Sequence, residues 1–304
     1  MKTYPWFLEL TREAISIPYY RPVIESLCQE AGIERMDAYL AQVALTVKPE
    51  PLRVSHLHQS APYVNPAAIE ADLEGAAERG VFTMLPGVVD GHDYHLTDKG
   101  EAIADRIPEM IQEVAATLEP LPAGDSQRLF EHLQQLVMAS AEAPEPAEKE
   151  GLLRSRFFET GPDAPIFERV RRQLMNLWLF RDDCHLASWR YYDVSGQAWE
   201  ALTLLWRGEA KTASELAEKL AHRQYDEAAY QVALQELAAR GWVVKEDGAY
   251  RLANSGRAAR EEAERVTDRC YFGPWVVLDE AELADLRRLM QTLRDGLHSQ
   301  AAAG

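Results

Sequence analysis

The sequence is poor in the features that mark most chemistries and most compartments. It has three cysteines in 304 residues, Cys28, Cys184 and Cys270. An odd, widely spaced set argues against a disulfide framework and fits a reducing cytosol, where each is expected as a small buried apolar residue. No apolar run approaches the ~20 residues of a membrane span, and the charged, proline-broken start does not read as a signal peptide. The chain carries no nucleophile elbow, phosphate loop, paired CxxC or dinucleotide fingerprint, so neither an enzyme nor a cofactor is expected. His56 and His58 bracket Leu57, and His92, Asp93 and His95 lie close together. A His-x-His pair on a helix sends its rings to different sides, so these are expected as polar or hydrogen-bonded histidines and no metal site is assigned.

Positive charge is also scarce. The net charge is −17. Residues 1–150 hold 11 Lys+Arg against 25 Asp+Glu, whereas residues 151–304 hold 21 against 24. A nucleic-acid surface needs local cations, and only the second half can supply them.

What the chain does contain is organised around Asp226–Gly256. Asp226 has the chemistry of a helix cap. Tyr230, Ala233, Leu234, Leu237 and Ala238 follow at helical spacing, and Gly241 suits a left-handed stop. Trp242–Val244 and Tyr250–Leu252 flank Asp247-Gly248, a hairpin signal. Upstream, Thr212 and Glu215 have capping-box spacing before Leu216. Helix, turn, helix and hairpin make a winged helix-turn-helix. The pattern occurs earlier as well. Asn65-Pro66 opens a helix with Ile69, Leu73, Ala76 and Ala77 as its stripe. Arg79-Gly80-Val81 parallels Arg240-Gly241-Trp242, and Tyr94–Gly100 (YHLTDKG) parallels Tyr250–Gly256 (YRLANSG). Ala253 stands where the first copy has Thr97, so that helix start must use Asn254 or Ser255. Two divergent copies suggest a duplicated module.

These runs resemble MarR/PadR-type winged-helix regulators, over roughly half of the chain. The resemblance implies recognition helices in the major groove of double-stranded DNA, wings near the minor groove and terminal helices in a dimer interface. The expected fold is mainly α, with tandem winged helix-turn-helix modules, small hairpin wings and long flanking helices. Residues 1–138 form the first module with an apolar N-terminal arm that includes Trp6, Phe7, Ile17 and Tyr19. The acidic, proline-bearing residues 139–151 are the linker, and 152–304 form the second module.

The first recognition helix presents Glu70, Asp72 and Glu74, which repel phosphates. The second, with its wing, offers Arg223, Glu227, Gln231, Lys245 and Arg251 as the DNA-binding set. On the long helix after the linker, Trp178, Asp182, His185 and Trp189 share one face. They read either as a site for a small aromatic ligand or as a core stripe. Leu283, Leu286, Met290, Leu293 and Leu297 repeat with heptad spacing, a seam for a homodimer or for docking within the chain. The functional expectation is a cytoplasmic transcriptional regulator responsive to a small aromatic ligand. The alternative is a winged-helix protein without DNA binding that sequesters a small molecule or binds a protein partner.

Overall fold

The computed structural model describes residues 2–15, 20–87 and 91–303. The chain is mainly helical, with two short antiparallel hairpins. In order, the elements are α1 (Pro5–Ile15), α2 (Tyr20–Ala31), α3 (Arg35–Val47), α4 (Val54–Ser60), α5 (Pro66–Glu78), β1 (Phe82–Pro86), β2 (His92–Leu96), α6 (Asp98–Ala115), α7 (Ala123–Glu142), α8 (Glu150–Arg156) and α9 (Ile166–Arg190). They continue with α10 (Gly196–Arg207), α11 (Ala213–Lys219), α12 (Glu227–Ala239), β3 (Val243–Glu246), β4 (Ala249–Leu252), α13 (Asn254–Phe272) and α14 (Glu280–Ala303). No helix among the described residues is long and apolar enough to cross a membrane.

The chain forms two compact units that do not follow chain order. The first comprises Met1–Pro51, Ala76–Cys184 and Asp268–Gly304; the second comprises Leu52–Gly75 and His185–Thr267. The segment expected as a linker, 139–151, lies inside the first unit. It is tied down at several points. Helix α7 runs to Glu142 and α8 starts at Glu150. Lys149 Nζ donates to the carbonyls of Ala141 and Ala143. The buried Asp183 carboxylate accepts from the amides of Gly151 (2.8 Å) and Leu152 (2.9 Å), capping α8 from α9. A Cβ at Gly151 would lie 2.9 Å from Asp183 Oδ1, so the cap needs glycine there.

The two hairpin segments share local geometry. Gly80 and Gly241 are both left-handed, with φ of 79° and 69°, where a side chain would be strained. The next amides, of Val81 and Trp242, reach back to the carbonyls of Ala76 and Leu237, and so close the helix ends with one bonding pattern. The amide of Thr97 donates to the carbonyl of Val81, and that of Ala253 to the carbonyl of Trp242. Gly100 and Gly256 each press against that same carbonyl, 2.3 Å from where a Cβ would stand. The Ala253 difference is compensated in place. Thr97 Oγ1 donates to the carbonyl of Gly80, and Ser255 Oγ makes the equivalent bond to Gly241.

In the first unit, α1 and α7 pack on α14. Phe7 is fully buried and edge-on to Trp275 at 4.9 Å, so the arm does pack; Ile17 and Tyr19 lie outside the described residues. The heptad seam of α14 is already occupied. Leu286, Met290 and Leu293 are fully buried, Leu297 nearly so, and Leu283 is packed against the same core. Gly296 lies against the Pro120 carbonyl, with only 1.9 Å left for a Cβ. The homodimer expected through Leu283, Leu286, Met290, Leu293 and Leu297 is therefore corrected: the stripe is spent on this chain's own core.

Candidate nucleic-acid interface

The second unit contains a helix, a turn and a helix built as their sequence dictates. Thr212 Oγ1 accepts from the Glu215 amide, and Glu215 accepts in return from the Thr212 amide, both at 3.2 Å. After α11 the chain makes a short 3-10 turn, Ala221–Arg223, and Gln224 goes left-handed at φ 59°. Asp226 then caps α12, its carboxylate 2.7 Å from the Ala229 amide. Tyr230, Ala233, Leu234 and Leu237 are buried and fix α12 against α10 and α11. The opposite stripe, Ala228, Val232 and Gln235, faces solvent, with Val232 64% exposed. In the hairpin Val243 pairs with Leu252 and Glu246 with Ala249. Asp247 and Gly248 have φ of 48° and 82°, the two positive values a type I′ turn requires. The Tyr250 amide donates to the Lys211 carbonyl at 2.7 Å, which lays the entry to α11 beside β4.

The five residues expected to meet DNA divide into two groups. Arg223 and Gln231 turn inward. The Arg223 guanidinium makes bonds of 2.8–3.1 Å to Glu200 and lies 5.5 Å from the Tyr63 ring centroid. Gln231 Nε2 donates to the Tyr250 hydroxyl at 2.7 Å, joining α12 to the hairpin. Both side chains are engaged within the unit here, each with a partly buried partner. Glu227, Lys245 and Arg251 are exposed. Arg251 pairs with Glu246 across the hairpin at 2.8 Å, which holds the Glu246 carboxyl below its ordinary value. Lys245 lies over the Tyr250 ring at 5.5 Å. Lys211, Ser214 and Val232, absent from the expected set, are exposed on or beside the same elements. Lys211 had a signal in its position just before the Thr212 cap; Val232 had none beyond helical phase.

The stripe on α9 is divided between the two units. Trp178 and Asp182 belong to the first unit, His185 and Trp189 to the second. Trp189 is buried, stacked 5.5 Å from Trp199 and donating to the Tyr63 hydroxyl at 2.9 Å. Asp182 is exposed. Cavities of about 420 and 440 Å³ in the first unit are lined by other residues, among them Tyr39 and Ile107 in one and Leu121 and Phe167 in the other. Of the four residues expected to hold an aromatic ligand, Trp189 is packed in the core of the second unit.

The second unit also holds the turn that leads into α5. Asn65 donates from its amide to the Arg223 carbonyl (3.0 Å) and from Nδ2 to the Gln224 carbonyl (2.8 Å). Gly196, opening α10, leaves 2.1 Å between a Cβ and the Pro62 carbonyl. The turns that precede α5 and α12 are thus bonded to each other.

Residues 172–303 match the model of a helix-turn-helix family, a span from α9 through α14 that leaves residues 1–171 outside. Neither a curated protein nor a solved structure matches the chain. Geometry and family match agree on α11–α12, which is a helix-turn-helix domain.

Proposed function

We propose that the chain is a DNA-binding transcriptional regulator of the winged-helix type in which one of two winged copies reads DNA. The observation that carries this is the α11–α12 helix-turn-helix, with the Ala228–Val232–Gln235 stripe open to solvent beside a hairpin bearing Lys245 and Arg251. The exposed face of α12 enters the major groove in this reading. Gln235 suits an adenine edge and Val232 a thymine methyl, while Lys211, Lys245 and Arg251 hold phosphates. The repeated glycine and hairpin geometry supports a duplicated, MarR/PadR-like ancestry. The first copy, with Glu70, Asp72 and Glu74 on α5, is a supporting partner and not a second reading head. A small aromatic ligand is no part of this reading, since Trp189 is committed to the core.

The test is fluorescence anisotropy of labelled duplex DNA against the full chain, from low to physiological salt. Binding with a steep salt dependence is expected, and Lys211→Glu with Lys245→Glu should abolish it. A second reading, a winged-helix scaffold that binds a protein partner, is favoured by the internal pairing of Arg223 and Arg251 and by the exposed Glu227. No binding to a mixed-sequence duplex library at low salt would select that second reading.

A further inference from the structure

Two of the three cysteines meet. Cys184 on α9 is fully buried, and Cys270 in the last turn of α13 is 6% exposed. Helices α9 and α13 touch on either side of the thiols, with the chain order reversed between them. Phe180, one turn before Cys184, has its ring centroid 6.0 Å from that of Tyr271. Ser188, one turn after Cys184, has its hydroxyl 3.0 Å from that of Thr267, nearly one turn before Cys270. Between these contacts the two thiols lie close enough to perturb each other.

We propose that Cys184 and Cys270 are an oxidation site, which a hydroperoxide converts into an intramolecular disulfide joining α9 to α13. The two sulfurs are not equivalent. Cys270 keeps a small exposed edge where Cys184 has none, and the neighbouring Cys184, with the cations Arg269 and Lys149, shifts the Cys270 thiol down against burial and the charge of Glu145. Burial pushes the Cys184 thiol up. Cys270 is therefore the attacking sulfur and Cys184 the resolving one. The Cys270 thiolate attacks one oxygen of hydrogen peroxide; an S–O bond forms, the O–O bond breaks, and the departing hydroxide takes a proton to become water. The Cys184 thiol then gives up its proton and attacks the Cys270 sulfenic sulfur. The S–S bond forms as the S–O bond breaks, and hydroxide leaves with that proton as a second water. Two thiols lose two electrons, and the peroxide gains them.

Cys28 is the internal control: it is buried on α2, and burial together with the Asp37 carboxylate raises its thiol. The experiment treats the full-length folded protein with hydrogen peroxide, then alkylates the remaining thiols in denaturant and maps the peptides by mass. A product about 2 Da lighter is expected, with one alkylated thiol at Cys28, a Cys184–Cys270 linked peptide, and full reversal by dithiothreitol. Cys28→Ser should behave in the same way. Cys184→Ser should instead trap a dimedone-reactive sulfenic acid at Cys270. Three alkylated thiols after peroxide would overturn the proposal, as would a linkage through Cys28 or one formed only in protein unfolded by urea before oxidation. The wild-type and Cys28→Ser arms decide it even if Cys184→Ser fails to fold.

Discussion

Lys245 and Arg251 sit on paired strands of one hairpin and use their charge differently. Arg251 is held by Glu246, but a fully exposed pair is weak and screened by salt, so it opens readily toward a phosphate. Lys245→Ala should weaken DNA binding across sequences and lower the salt slope by about 1. Glu246→Ala should strengthen binding by releasing Arg251, as read by anisotropy; weaker binding in that variant would remove the hairpin from the interface. Asp183 supplies a pH prediction. Burial pushes its carboxyl up to about 6, against the pull of the Leu152 and Gly151 amides. A raised carboxyl stabilises the fold below its ordinary value, and that contribution is lost as pH rises through 6. Chemical denaturation at pH 4 and pH 7 should therefore show wild type gaining on Asp183→Asn toward pH 4, by on the order of 2–3 kcal/mol. A difference independent of pH would mean the carboxyl keeps its ordinary value in the fold.

At the scale of the element, α14 shows how one pattern serves two outcomes. Spacings of 3, 4, 3, 4 put leucines in line whether the facing helix belongs to another chain or to this one. Here α1 and α7 face it. Leu293→Ala should cost about 2–5 kcal/mol in unfolding free energy without changing mass in solution. Loss of an oligomer in that variant, with stability retained, would restore the intermolecular seam. Helix α5 makes a related point: its cap, Asn65, is bonded to the turn before α12, so a segment early in the chain completes the fold around α12.

For the whole molecule, the interleaving of the two units has a direct consequence. Residues 52–75 belong to the compact unit of 185–267, although more than a hundred residues separate them in the chain. A fragment of residues 152–304 lacks Tyr63 against Trp189, Pro62 against Gly196 and Asn65 against Arg223. It should melt broadly or fail to fold by circular dichroism, and co-expression with residues 1–151 should restore a cooperative transition. A cooperative fragment with the melting temperature of the full chain would show that the two sequence halves are independent domains after all.

Local signals in the sequence settled local structure. The Thr212–Glu215 box, the Asp226 cap, the Asp247-Gly248 turn and the repeated glycines act over a few residues, and each appears where its chemistry requires. Hydrophobic periodicity likewise settled which faces are buried, on α14 and, apart from the exposed Ala238 at its end, on α12, since burial depends on phase and not on the partner. The partner itself was decided only in three dimensions. Whether α14 meets another chain, whether Arg223 meets phosphate or Glu200, and whether Trp189 meets a ligand or Trp199 are choices between residues far apart in sequence. The acidic, proline-bearing segment at 139–151 looked like a linker because composition reports solvent exposure, while the Asp183 carboxylate that anchors it lies 32 residues beyond Gly151. The contact between Cys184 and Cys270 belongs to the same class: periodicity buries each sulfur, but only the packing of α9 on α13 brings the two together.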